Sequence, residues 1–134
     1  MGPLWDFNLG FGNADYGGAF DIEGWAFNAE TPFWWASLLE DPVFIGELRC
    51  RWESLREGLL SDQSVISRLE GYEAQLFESQ ERNFQRWSIL GEYLWPNNFI
   101  GQSHAEEMNY LRNWLLSRLE WLDSGIPGSC STGG

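Results

Sequence analysis

Apolar residues recur at helical spacing over most of the chain beyond residue 33. After Asp41-Pro42, side chains three or four positions apart fall on one helix face: Ile45, Leu48, Trp52 and Leu55. The Asp-Pro pair is a typical helix start, because aspartate caps free N–H groups and proline suits the first helical position. We therefore predict a helix that reaches about Glu57 and ends before Gly58.

Two neighbouring segments combine a cap with apolar periodicity in the same way. Thr31-Pro32 opens a short helix over residues 33–39, and Ser61 or Asp62 caps a longer one. The apolar stripe of the longer helix comprises Ile66, Leu69, Tyr72, Leu76, Phe84 and Trp87. A loop over residues 88–102, around Trp95-Pro96-Asn97-Asn98, is predicted to follow it.

The last helix is predicted from Ser103 and Glu106, which are spaced as a capping box. Its buried stripe comprises Met108, Leu111, Leu115, Leu119 and Leu122, with Trp114 and Trp121 beside it. Gly125 and Pro127 stop this helix. We expect one domain over residues 1–127, followed by a flexible Gly/Ser tail over 128–134.

The first thirty residues have a different texture, rich in glycine, asparagine, aspartate and aromatic residues. Only Pro3 to Phe7 resembles a short strand, and the remaining glycines are spaced as turn residues. The fold class expected is therefore mainly α: a short N-terminal strand and an irregular acidic segment, followed by about four helices.

The 134 residues carry a net charge of −12, with eight arginines and no lysine. Residues 1–48 contain eight acids and no base. This acidity argues against nucleic acid and anionic membrane surfaces as partners, because both are bound through clustered cations. Without lysine, the chain by itself completes neither a Schiff base nor a Walker-type phosphate loop.

Few residues are available for thiol or imidazole chemistry. Cys50 and Cys130 are too few for a four-cysteine zinc site. A disulfide between them is possible but not favoured, since Cys50 lies in a helical stretch and Cys130 in a Gly/Ser tail, and we expect Cys50 to be a small buried apolar residue. His104 is the single histidine and is expected at the surface, which leaves catalytic triads unsupported. We expect no catalytic residue in this chain.

Asp6 and Asn8 stand out as candidate ligands in the polar N-terminal segment. Alternate side chains of a strand share a face, so these two can point at one ligand. A carboxylate beside an amide oxygen suits a hard cation such as Mg²⁺ or Ca²⁺. The other interpretation is an Asx-rich turn, in which the same side chains satisfy nearby backbone N–H groups.

Several blocks of this sequence resemble the CotH kinase family of atypical, spore-coat-type protein kinases. The blocks span nearly the whole chain: Gly2–Asn8 (GPLWDFN), Phe11–Tyr16 (FGNADY), Arg82–Trp87 (RNFQRW) and Glu106–Leu111 (EEMNYL). Their order is that of the C-terminal part of such a protein. The resemblance implies that the helices form the C-lobe portion of a kinase-like fold.

The resemblance also implies a role for the N-terminal motif. Asp6 matches the aspartate that holds Mg²⁺ against the nucleotide phosphates, and Asn8 lies beside it where many members have a second acid. Asn13 and Asp15 match the motif and are assigned possible support of the metal loop. The intact parent would use ATP to phosphorylate Ser or Thr of secreted or coat proteins, at the cell or spore surface.

The sequence also lacks parts that members of the family have. The N-lobe, the phosphate-contacting lysine and the catalytic-loop aspartate lie upstream of this motif in the family. We therefore expect a C-terminal fragment that is inactive alone, with a missing N-terminal lobe as its partner. The alternative is a non-catalytic surface module that binds protein or glycan through exposed aromatic residues.

Aromatic and basic side chains on the helices carry further expectations. Trp34 and Trp35, with Phe33, are expected to be exposed, as a surface that has lost its partner. The tryptophans on or beside apolar stripes are expected in the core rather than in a sugar site: Trp52, Trp87, Trp114 and Trp121. Arg82 and Arg86 are expected to pair with acids such as Glu78 or Glu81 rather than with phosphate.

Overall fold

Four helices form the framework of the part of the chain that the structure, a computed structural model, describes: residues 10–25 and 33–131, with the backbone alone at Phe33. The helices are α1 (Phe33–Glu40), α2 (Pro42–Arg56), α3 (Asp62–Arg86) and α4 (His104–Gly125). No strand occurs in these ranges, and the strand expected over Pro3–Phe7 lies outside them. None of the described helices combines the length and apolar character needed to cross a bilayer. The mainly α class is confirmed.

The helix starts are fixed by the capping side chains that the sequence indicated. The Asp41 carboxylate accepts a hydrogen bond from Val43 N (2.8 Å), at the start of α2. Of the two capping candidates for α3, Ser61 and Asp62, Ser61 is the cap: its hydroxyl accepts a hydrogen bond from Ser64 N (3.3 Å). Each bond satisfies an N–H group that has no partner within its helix.

The start of α4 departs from the expected capping box in one respect. Ser103 Oγ accepts from Glu106 N (3.2 Å), as predicted. The Glu106 carboxylate accepts from Gln102 N (2.8 Å), where the motif would direct it to the N–H of Ser103. Glu107 reaches one residue further back, to Gly101 N (2.7 Å). Two adjacent acids thereby tie the end of the 88–102 loop to the first turn of α4.

The chain divides into two compact units. Unit 1 comprises Met1–Ile22 with Ser67–Ser117, and unit 2 comprises Glu23–Ile66 with Arg118–Gly134. Unit 2 holds a small apolar core of Trp52, Leu119 and Ile126. The half-buried residues packed on this core are Trp25, Leu48, Leu60, Val65 and Leu122. The boundary expected at residue 127 stays a prediction.

Asp123 is the polar centre of unit 2. Its carboxylate accepts from the indole N–H of Trp52 (2.9 Å) and from the Arg56 guanidinium, whose Nε lies 2.9 Å and Nη2 3.1 Å away. Burial lowers the pKa of Arg56, but its hydrogen bonds to Asp123 and Asp62 outweigh that effect and raise the pKa above its usual value. Arg56 therefore stays charged and clamps the end of α4 to α2.

A disulfide joins Cys50 of α2 to Cys130, with their Cα atoms 4.6 Å apart. The sequence did not favour this bond, and the expectation of Cys50 as a free apolar residue is wrong. The pairing arises because the chain turns back after α4. Arg49 Nη1 donates to the carbonyls of Asp123 (2.7 Å) and Ile126 (3.3 Å), which holds that turn against α2. The stretch predicted as a flexible tail is thus covalently tied at residue 130.

The apolar stripe of α3 is buried less than its periodicity suggests. No residue of this helix is fully buried, and Tyr72 and Leu76 are about half exposed. Trp87 is 56% exposed, so its expected place in the core is wrong. The reason is that α3 ends at Arg86, and helical spacing no longer sets the direction of the next side chain. Arg86 instead lies over the Trp87 ring, 4.4 Å from its centroid.

The remaining expectations for tryptophan and arginine are largely met. Trp52 is buried, and Trp114 and Trp121 are partly buried beside the α4 stripe. Arg82 pairs with Glu78 at 3.5 Å, as predicted. The ion pair expected for Arg86 is not found among the described residues, and its guanidinium lies over the Trp87 ring instead. Trp34 and Trp35 are 51% and 43% exposed, which confirms the expected exposed pair, while the Phe33 side chain lies outside the described part.

Candidate functional site

The structure describes the segment that directly follows the candidate metal motif. Asp6 and Asn8, the predicted ligands, lie outside the described residues. The description begins at Gly10, four positions after Asp6. We call Gly10–Ile22 the post-motif segment; it belongs to unit 1, as do most of α4 and the 88–102 loop.

Gly12 is the tightest contact point of this segment. Its φ of +84° lies in the left-handed region, and a Cβ there would be 2.3 Å from the Trp114 indole. Tyr110, one turn earlier on the same face of α4, donates its hydroxyl to the Gly12 carbonyl at 2.7 Å. Only glycine allows both the backbone conformation and the close approach to the helix.

The Trp114 side chain holds the post-motif segment at two further points. Phe11 packs edge-on against its ring, with centroids 6.3 Å apart. The indole N–H donates to the Phe20 carbonyl at 2.8 Å. Ala14, between these points, is 1% exposed. One tryptophan thereby fixes both ends of the segment on α4.

Asn13 joins the post-motif segment to the 88–102 loop. Its side-chain oxygen accepts from Phe99 N (3.1 Å), and its amide nitrogen lies 3.5 Å from Asn97 Oδ1. Phe99 in turn stacks on Tyr110, with centroids 4.2 Å apart and planes 4° apart. Asn13 therefore satisfies a backbone N–H, as an Asx side chain in a structured loop commonly does.

Asp15 adds a second link to the same loop. Its backbone N–H donates to the Pro96 carbonyl (2.9 Å), and its carboxylate accepts from the Tyr93 hydroxyl. That hydrogen bond, together with burial and the nearby negative charge, raises the pKa of Tyr93 above its usual 10.0. The adjacent Tyr16 stacks on Trp95, with centroids 6.3 Å apart. Asn13 and Asp15 thus act together as anchors to one loop.

Sequence reasoning did not single out several residues that build this arrangement. Trp114 was placed beside an apolar stripe, Tyr110 was named only within the block EEMNYL, and Glu107 was given no role. The signal available for Tyr110 and Trp114 was their four-residue spacing and the polar atom on each ring, since a buried Tyr or Trp usually finds a hydrogen-bond partner. Which backbone carbonyl each would meet depends on the path of the N-terminal segment, which local sequence does not encode.

The described residues contain no group of three or more His, Cys, Asp or Glu side chains that could hold a metal ion. One cavity of unit 1, about 600 Å³, is open and lies between α3 and the start of α4. His104 and Glu81 are among its lining residues, and the His104 ring packs at 6.2 Å from that of Phe84. Asp6 and Asn8 therefore remain the candidate ligands.

Comparison with known proteins gives a family match. The family model described as CotH kinase protein matches residues 1–122. No curated protein and no solved structure shows significant similarity to the chain. The match covers the candidate metal motif, the post-motif segment, the 88–102 loop and nearly all of α4.

Proposed function

Because the chain belongs to the CotH kinase protein family, we propose that it supplies the metal-binding part of a phosphotransferase of that family and transfers no phosphate alone. The observation that carries the proposal is the match to the family model over residues 1–122, which include the Asp6 motif. The reaction that the complete enzyme would catalyse is transfer of a phosphoryl group from ATP to Ser or Thr of a protein substrate.

Asp6 is the proposed ligand for Mg²⁺, and Asn8 is the proposed contact to the nucleotide cofactor. A carboxylate and an amide oxygen are donors that fit this hard cation. Mg²⁺, when bound, neutralises charge on the nucleotide phosphates. The amide at Asn8 carries one negative charge less than an acid would, so a single metal depends mainly on Asp6.

The anchoring of the post-motif segment supports this assignment. A metal site needs ligands held by a supporting shell, and loosely held ligands lose affinity. The segment begins four residues after Asp6 and is bonded to α4 at Gly12 and to the 88–102 loop at Asn13. A rigid platform on the C-terminal side of the motif is what a positioned ligand requires.

The absence of lysine from the sequence supports inactivity of the chain alone. Phosphoryl transfer depends on several groups that position and neutralise the phosphates together. In this proposal, an N-terminal lobe supplies the phosphate-contacting lysine and the catalytic aspartate of the family.

A location outside the reducing cytosol, secreted or at the cell or spore surface, is part of the proposal. The Cys50–Cys130 disulfide supports it, because such bonds persist mainly in oxidising compartments.

The test is a titration of Mg²⁺-dependent ATP binding by calorimetry. The intact chain should bind, and Asp6→Ala should weaken binding by at least about tenfold, since loss of even an outer-shell group costs that much. Asn8→Asp should strengthen binding by restoring an acid. Asp21→Ala, which removes an exposed acid of the post-motif segment, is the control and should bind as the parent does.

Equal binding by the parent and Asp6→Ala, or no binding by either, would contradict the metal role. A radiolabelled phosphate-transfer assay on a generic protein substrate checks the second half of the proposal, which predicts no transfer. Turnover by the isolated chain would refute it.

A second candidate function is a non-catalytic module that binds protein or glycan. The observation that favours it is the exposed pair Trp34 and Trp35, whose rings meet edge to face with centroids 5.5 Å apart. Two results together would favour this function over the first. Neither the parent nor Asp6→Ala would bind Mg²⁺–ATP, and the parent would capture a defined glycan that Trp34→Ala does not.

A further inference from the structure

Trp95 is a large aromatic residue whose side chain is mostly exposed to solvent. The side chain is 75% exposed, more than that of any other large apolar residue in the described part of the chain. Tyr16 stacks against it at an interplanar angle of 23°, and Tyr93, 54% exposed, lies two positions before it. We call Tyr16, Tyr93 and Trp95, with Asp15, the aromatic platform.

The platform is held in place by backbone hydrogen bonds before any partner arrives. Asp15 N donates to the Pro96 carbonyl (2.9 Å), and Asn97 N donates to the Leu94 carbonyl (2.8 Å). Asp15 also accepts from the Tyr93 hydroxyl. A fixed, exposed aromatic side chain binds with little further loss of conformational entropy, which is the property of an interface anchor.

The charged residues of the two segments that build the platform are all acidic. Residues 10–22 and 88–102, which build it, contain Asp15, Asp21 and Glu92 and no lysine or arginine. An indole face attracts cations through its quadrupole, and nearby carboxylates add to that attraction. The surface is therefore complementary to a positively charged group.

Elsewhere the chain supplies such cations to its own tryptophans. Arg86 lies over Trp87 at 4.4 Å, and Arg118 lies over Trp121 at 4.5 Å from the ring centroid. The two segments that build the platform contain no basic residue with which to repeat this pairing at Trp95. None of the cation–π pairs among the described residues involves Trp95, so its ring can accept a cation from another molecule.

We propose that the aromatic platform binds an arginine-rich segment of a partner protein. A guanidinium packs on the Trp95 indole, and a neighbouring one pairs with Asp15. This interaction does not rest on Asp6, Mg²⁺ or phosphate transfer, and it survives if the proposed function fails.

The probe is a fluorescently labelled peptide of twelve residues with alternating arginine and glycine, followed by anisotropy on the full chain. A peptide with citrulline in place of each arginine is the matched control, because it keeps the shape and removes the charge. The arginine peptide should bind, the citrulline peptide should not, and added salt should weaken binding because exposed charges are screened.

Four variants localise the binding. Trp95→Ala should weaken it about fivefold or more, the value of an exposed cation–π contact of ~1 kcal/mol. Asp15→Asn should weaken it while keeping an acceptor for Tyr93. Trp87→Ala removes an exposed tryptophan that is already paired with Arg86 and should bind as the parent does. Circular dichroism verifies that each variant is folded, and Trp95→Phe, which keeps an aromatic face, should retain part of the affinity.

Each contrary result overturns the proposal. Absence of arginine-peptide binding, equal binding of the citrulline peptide, or equal losses in Trp95→Ala and Trp87→Ala would each do so. Binding of a neutral probe, a hexamer of N-acetylglucosamine, that is lost in Trp95→Ala while the arginine peptide stays unbound would assign the platform to glycans instead.

Discussion

The side-chain oxygen of Asn13 accepts a hydrogen bond from the backbone N–H of Phe99, although 86 positions separate the two residues in sequence. This bond ties the segment after the candidate metal motif to the loop before α4. Replacing Asn13 by alanine leaves the Phe99 N–H without its partner.

We expect Asn13→Ala to lower the free energy of unfolding by about 1–2 kcal/mol, the cost of an unsatisfied, partly buried N–H group. Chemical denaturation measures the loss. Asn13→Asp keeps an oxygen for Phe99 and should lose less, so equal losses in the two variants would argue against this hydrogen bond as the cause.

Gly12→Ala should destabilise the chain by about 3 kcal/mol. The new methyl group meets the Trp114 ring, an overpacking cost of about 1–3 kcal/mol, and the φ of +84° adds about 1 kcal/mol for a residue with a Cβ. Gly17→Ala is the matched control: its φ is +61°, with no atom within 4 Å of the added Cβ. It should cost only about 1 kcal/mol. Similar losses in both variants would contradict the close approach of Gly12 to α4.

Reduction of the Cys50–Cys130 disulfide should lower stability by about 2–4 kcal/mol, because the bond closes a loop of 80 residues in the unfolded chain. Thermal unfolding with and without a thiol reductant measures the change. Cys130→Ser should reproduce it and should make stability independent of the reductant. A midpoint that the reductant leaves unchanged in the parent would show that the disulfide contributes nothing to stability.

Asp123→Asn should destabilise unit 2 by about 2 kcal/mol, since hydrogen bonds to charged groups contribute about 1.5–3 kcal/mol each and this side chain is partly exposed. Asp62→Asn removes the other, more exposed partner of Arg56, whose bond to Asp62 is 2.9 Å long, and should cost under about 1 kcal/mol. Denaturant unfolding followed by tryptophan fluorescence compares them. Equal effects would contradict the central role of Asp123.

The hydrogen bond from Tyr93 to Asp15 predicts a pH dependence at the alkaline end. The folded pKa of Tyr93 is raised above 10.0, so the bond stabilises the fold below that pH and is lost as the pH rises through the folded pKa. The phenolate absorbance of the parent minus that of Tyr93→Phe isolates this residue among the four tyrosines. A difference curve with its midpoint at or below 10 would contradict the bond.

The helices were predictable because their signals are local. Asp41-Pro42 and Ser103 with Glu106 act within one turn, and apolar spacing reports a helix face without reference to the rest of the chain. The end of α3 at Arg86 was the weak point, because periodicity alone does not show where a helix stops. Trp87 was assigned to the core for that reason and is exposed.

The candidate site divides in the same way. Asp6 and Asn8 were singled out by residue type, spacing and family resemblance, and their metal role stays a prediction. Asn13 and Asp15 were noticed, but their partners Phe99 and Tyr93 were not.

By itself the sequence determined the helical class, the caps and the family, since each is written in residues that are close together or in a motif. The tertiary structure alone decided the Cys50–Cys130 bond, the approach of Gly12 to Trp114 and the exposure of Trp95. These depend on where chain segments 80 or more residues apart meet, or on which surfaces those segments leave uncovered. No local preference encodes such a meeting, because it results from the packing of the whole chain.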